Sequence, residues 1–109
     1  DEISPYAKTN VVQIKNNEIS EIVIDPKNLN INADGFDNIL GDDADYNAKK
    51  IIDIFKGENN DFSKAVCLNA AAGLIVSESY NSFSEAYKFT LEHLLSGKVY
   101  KHLLEIQNG

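Results

Sequence analysis

Two carboxylates stand side by side at the start of the sequence, Asp1 and Glu2. Such a pair can offer hard oxygen ligands to Mg²⁺, an ion commonly held by one or two carboxylates together with the phosphates of a substrate. The same residues also read as an ordinary solvated chain end, and by themselves they do not choose between the two. Further on, Asp43, Asp45 and Asn47 match the first, third and fifth ligand positions of a calcium loop. The match fails beyond that point, because Ala48 stands where Gly is needed and Ile54 where a bidentate Glu belongs. These acidic residues are instead expected to cap a helix.

The remaining candidates are few. His93 and His102 fall on separate predicted helices, with no Cys or carboxylate at a spacing that would complete a zinc site, so both read as packing or surface residues. Cys67 is the single cysteine and can close no intrachain disulfide. It reads as a small buried hydrophobe in a reducing, cytoplasmic setting. Asn69 is the only polar side chain between Ala65 and Val76, and a buried polar group of this kind is expected to satisfy backbone groups of a neighbouring element. No Ser/His/Asp triad, glycine-rich phosphate loop, paired CxxC or internal repeat is present. No catalytic residue is assigned within the chain.

The elements that must position these groups begin with residues 62–77. From Ala65 to Val76 every helical face is apolar, which predicts a central helix buried all round. The run is too short to span a bilayer, which takes about 20 apolar residues. Residues 9–14 and 19–24 are two Val- and Ile-rich runs around Asn16-Asn17, a pair that tolerates positive φ, and they predict a β-hairpin. Ile22 and Ile24 share one face of the second strand, and Asp25-Pro26 stops it. A loose connection follows, anchored by Leu29, Ile31, Phe36, Ile39 and Leu40, with a helical turn near residues 36–40. Helices are predicted at 44–56, with Ala48, Ile51, Ile52 and Phe55 inward, at 83–96, and at 98–107. Ser82 and Glu85 fit a capping box at the start of the third helix, and Gly57 and Gly97 are natural stops.

At 109 residues the chain allows one domain with a modest core. The charge is −7, with every basic residue a lysine. Without a guanidinium fork or a basic stripe, direct nucleic-acid binding is not expected. A helix apolar on all sides needs cover on all sides, and the chain opens on Asp1 and has no Met. The expectation is a processed chain or a piece of something larger.

Taken in order, Asp1-Glu2-Ile3-Ser4-Pro5, a hairpin ending in Ile24-Asp25-Pro26, Gly41-Asp42 with Asn47-Ala48, Leu68-Asn69-Ala70-Ala71-Ala72 and Ser96-Gly97-Lys98 resemble the C-terminal part of the anthranilate phosphoribosyltransferase family. The resemblance covers essentially the whole chain. It implies an α/β fold present as its C-terminal portion, with no second domain. It also implies a transferase that moves a phosphoribosyl group from phosphoribosyl pyrophosphate to anthranilate in tryptophan biosynthesis, with Asp1 and Glu2 holding Mg²⁺ on the pyrophosphate. Gly41-Asp42 and Asn69 carry over as structural residues only. The sequence departs from the family at Tyr6-Ala7-Lys8-Thr9, where Gly-Pro-Thr is usual.

The family's phosphate loop, its anthranilate-binding residues and its N-terminal helical domain would all precede Asp1. The chain alone is therefore expected to be inactive, and its expected partner is either that upstream part or a second copy of itself. Two alternatives stay open: the equivalent part of a pyrimidine nucleoside phosphorylase-like relative, and a noncatalytic module that self-associates.

Overall fold

A computed structural model describes residues 2–109. Strands β1 (Thr9–Lys15) and β2 (Glu18–Ile24) form a two-stranded antiparallel sheet, with Thr9 opposite Ile24 and Ile14 opposite Ile19. The turn is made by Asn16 and Asn17 at φ of 53° and 64°, the doubly left-handed geometry that matches the twist of a hairpin. Four helices follow: α1 (Ala44–Phe55), α2 (Asp61–Val76), α3 (Phe83–Leu95) and α4 (Lys98–Gln107). The arrangement is an α/β fold, as expected from the sequence. Two short 3₁₀ turns, Pro26–Leu29 and Phe36–Ile39, bridge sheet and helices.

Local chemistry sets the helix starts. The Asp43 carboxylate accepts from Tyr46 N at 2.8 Å and caps α1, so the would-be calcium ligand is a capping group. At the start of α2 a complete capping box joins Asn60 and Ser63, a feature the sequence reading had assigned only to Ser82 and Glu85. There the Ser82 hydroxyl accepts from Glu85 N at 3.3 Å, the forward half of the expected box. Gly97 sits at φ 83°, where a side chain would be strained, and separates α3 from α4.

The core lies between α2, α3 and α1, with Cys67, Leu68, Ala71, Ala86, Leu94 and Ile54 all buried. Thr90 ties α3 to α2 by donating to Cys67 O at 3.0 Å. Burial pushes the Cys67 thiol up to about 11, so it stays protonated and unreactive at neutral pH.

Two burial expectations are corrected. Helix α2 is not covered all round: Val66, Ala70, Gly73 and Val76 are exposed, and a Cβ built on Gly73 would meet nothing within 4 Å. The physical reason is a shortage of partners, since α3, α1, the Phe36–Ile39 turn and the N-terminal segment pack on parts of α2 and leave Val66, Ala70, Gly73 and Val76 uncovered by the described residues. Helix α1 keeps only part of the expected face: Phe55 packs against the core and Ile52 is half-buried. Ala48 and Ile51 are exposed, while Ile54 is 1% exposed. Ile54 joins the core cluster with Cys67, Leu68 and Leu94, so the stripe that α1 buries is centred near it. On α3, Leu95 is exposed at the rim and not in the core.

Candidate functional site

Glu2 falls where the N-terminal segment meets α2, through the contact of Ile3 with Asn69. Asp1 lies outside the described residues. Glu2 is exposed on the wall of a cleft of about 800 Å³, which is also lined by Tyr6, Lys8, Phe36, Gly41, Val66 and Asn69. Tyr6 and Phe36 face each other at its edge, their ring centroids 6.1 Å apart in a T-shaped contact.

Three side chains fix the backbone around Glu2. Asn69, half-buried in the middle of α2, accepts from Ile3 N at 2.9 Å through Oδ1 and donates to Ile3 O at 3.0 Å through Nδ2. The same Nδ2 donates to Ala65 O at 2.9 Å, one turn back on the helix. The Thr9 hydroxyl accepts from Ser4 N at 3.0 Å, and the Ser4 hydroxyl accepts from Tyr6 N and Ala7 N at 3.3 and 3.1 Å. Ser4 therefore closes the turn where the sequence departs from the family's Gly-Pro-Thr. Pro5 is fully buried beneath it.

A second asparagine, outside the cleft lining, braces the backbone next to Gly41. Asn47 Oδ1 accepts from Asp42 N at 2.9 Å, and Nδ2 donates to Asp42 O at 3.1 Å. A Cβ on Gly41 would come to 3.0 Å from that Oδ1, so any larger residue there would press on the Asn47 amide. The structural reading of Gly41-Asp42 and Asn69 agrees with these contacts.

A buried carboxylate that the sequence reading missed lies nearby. Asp61, 7% exposed, accepts from Asp34 N at 2.8 Å, Asn38 Nδ2 at 3.0 Å and Lys64 Nζ at 3.1 Å. The Asn38 and Asp34 bonds, reinforced by the Lys64 ammonium, hold its carboxyl below the usual value. All its work is structural: it fastens the connection before α1 to the start of α2. Lys64 also donates to Asn32 O.

His93 stacks on Phe89 with centroids 5.5 Å apart, and His102 lies on α4 beside Glu105, so the two do not converge. Among the described residues no three His, Cys, Asp or Glu side chains group as a metal site. A cation at Glu2 would therefore take other ligands from the neighbouring acidic residue, water and a bound phosphate. That is the ligand set Mg²⁺ favours, and an exposed carboxylate on an open cleft wall fits it. No helix among the described residues is long and apolar enough to cross a membrane.

Comparison with known proteins bears on the whole chain. A family model described as "Glycosyl transferase family, a/b domain" matches residues 1–100. The anthranilate phosphoribosyltransferase of Pelagibacter ubique (strain HTCC1062) is 68% identical over 108 residues, covering 99% of this chain and 33% of the relative. That of Idiomarina loihiensis is 31% identical over 110 residues, covering 100% and 33%, and that of Petrotoga mobilis is 35% identical over 106 residues, covering 97% and 31%. The chain spans about a third of the length of the curated relatives it matches.

Proposed function

Because the chain belongs to the glycosyl transferase family's α/β domain, matched over residues 1–100, we propose that it is the C-terminal portion of an anthranilate phosphoribosyltransferase. The carrying observation is the 68% identity over 99% of the chain to the Pelagibacter protein of that name. In this reading all 109 residues belong to one catalytic α/β domain, and the setting is cytoplasmic. The substrates are phosphoribosyl pyrophosphate and anthranilate, and the partner is the upstream part of the enzyme.

Asp1 and Glu2 would hold the Mg²⁺. The ion would neutralise the charge that grows on pyrophosphate as it leaves. The chain's own residues prepare that position. Asn69 and the Ser4 turn hold the backbone beside Glu2, and Lys8 lines the same cleft as a cation for an anionic ligand. In this reading the phosphate loop and the anthranilate site belong to the upstream two-thirds, and the chain works together with that part.

Calorimetric titration with phosphoribosyl pyrophosphate, with and without Mg²⁺, tests the reading. The chain alone is expected not to bind. A mixture with the upstream two-thirds of the Pelagibacter enzyme is expected to bind in a Mg²⁺-dependent manner and to convert anthranilate, and Glu2→Gln weakens both. Magnesium-dependent binding by the chain alone would overturn the expectation of an incompetent piece. A well-formed mixture that neither binds nor turns over would overturn the assignment.

A further inference from the structure

We infer that Asn69 is a positioning residue for Glu2: its amide brackets Ile3 and thereby fixes where the Glu2 backbone stands at the cleft. This rests on the metal-holding reading of Asp1 and Glu2. The peptide N–H of Ile3 belongs to the same rigid plane as the Glu2 carbonyl. When Asn69 Oδ1 accepts that N–H at 2.9 Å and Nδ2 donates to Ile3 O at 3.0 Å, the peptide planes on both sides of Ile3 are held. The Glu2 carbonyl and Cα, which lie in the first of these planes, are thereby placed. The amide cannot swing away, because Nδ2 is also bound to Ala65 O at 2.9 Å. Both available directions of the carboxamide are thus used, and the bracket is anchored in the middle of a sixteen-residue helix.

The geometry does more than fill a hydrogen-bond requirement. Ile3 and Asn69 are separated by 66 residues, so the contact fastens the segment carrying Glu2 to the best-packed helix. Asn69 and Glu2 also line the same cleft. A ligand's supporting groups tune metal affinity without touching the metal.

The test uses the chain mixed with the upstream two-thirds of the Pelagibacter enzyme and phosphoribosyl pyrophosphate, with Mn²⁺ as the probe, followed by paramagnetic broadening of amide signals of the chain. Broadening in the parent is expected at Ile3 and Ser4, and Glu2→Gln removes it. Asn69→Ala is expected to weaken the Mn²⁺ dependence of that local broadening about tenfold, in the range typical of lost supporting contacts. Asn69→Gln, which keeps the amide but displaces it by one methylene, shows the same loss should the alanine variant be too unstable to measure. Asn47→Ala, a comparable bracket away from Glu2, leaves the dependence unchanged. If Glu2→Gln abolishes the broadening but both Asn69 variants leave it intact, the positioning role is overturned and the metal reading survives. If the parent shows no broadening near Ile3, the metal reading falls and the positioning role with it.

Discussion

Two asparagines make the same bracket in different places. Asn47 and Asn69 each accept from a backbone N–H and donate to the carbonyl of the same residue, Asp42 in one case and Ile3 in the other. The first spans five residues and the second 66. A short bracket ties a helix start to its own approach and forms with little loss of chain freedom. A long one must hold together parts that the chain would otherwise leave apart, at a closure cost that grows with the length between them. The local bracket thus shapes an element, while the distant one builds the site.

Removing the distant bracket has the largest effect. Asn69→Ala should lower stability by about 2 kcal/mol, since two partly buried backbone groups lose their partner. In a domain of this size that is a melting-temperature drop of roughly 10 °C, read by circular dichroism. Faster hydrogen exchange confined to the Ile3 amide would accompany it. A drop no larger than that of Asn47→Ala would erase the distinction between the two brackets.

A charged bracket sharpens the comparison. Asp61 gathers Asp34, Asn38 and Lys64 around a carboxylate held below its ordinary value, whereas the two asparagines carry no charge to titrate. A depressed folded pKa contributes stability that is present above the unfolded value, near 4, and is lost as pH falls through the lower folded value. Melting temperature should therefore decline from about pH 4 downward. In Asp61→Asn that acid-sensitive component is smaller, and in Asn69→Ala it keeps its full size.

Smaller effects follow at the local bracket. Asn47→Ala should cost about 1 kcal/mol, with loss confined to the start of α1. Gly41→Ala should cost less than about 1 kcal/mol, because the added Cβ meets only the Asn47 amide, at 3.0 Å, and that side chain can yield. If Gly41→Ala and Asn47→Ala are combined, the cost should be less than additive, because the alanine at 47 removes the clash. Strict additivity would mean that glycine is needed there for some other reason.

The hairpin turn and the helix limits were legible because their causes are short-range. Asn16-Asn17 supplies two left-handed residues in a row, Asp43 reaches Tyr46 N three residues on, and Gly97 sits at positive φ just where α3 stops. Residue spacing also carried the family resemblance. The rest depended on partners that spacing does not name. Nothing around Asp61 marks it as a buried carboxylate, because Asp34 and Asn38 lie 27 and 23 residues away.

The sequence by itself determined which segments become strand and helix, where they start, and which residue types the cleft can offer a cation. Those outcomes rest on torsional preference and on bonds within a few residues. Only the tertiary structure decided which flank of α2 is left open at Val66 and Gly73, that Ile54 and not Ile51 turns inward, and that Asn69 meets Ile3. An apolar run states that a face can be buried, but its burial depends on whether another element arrives to cover it.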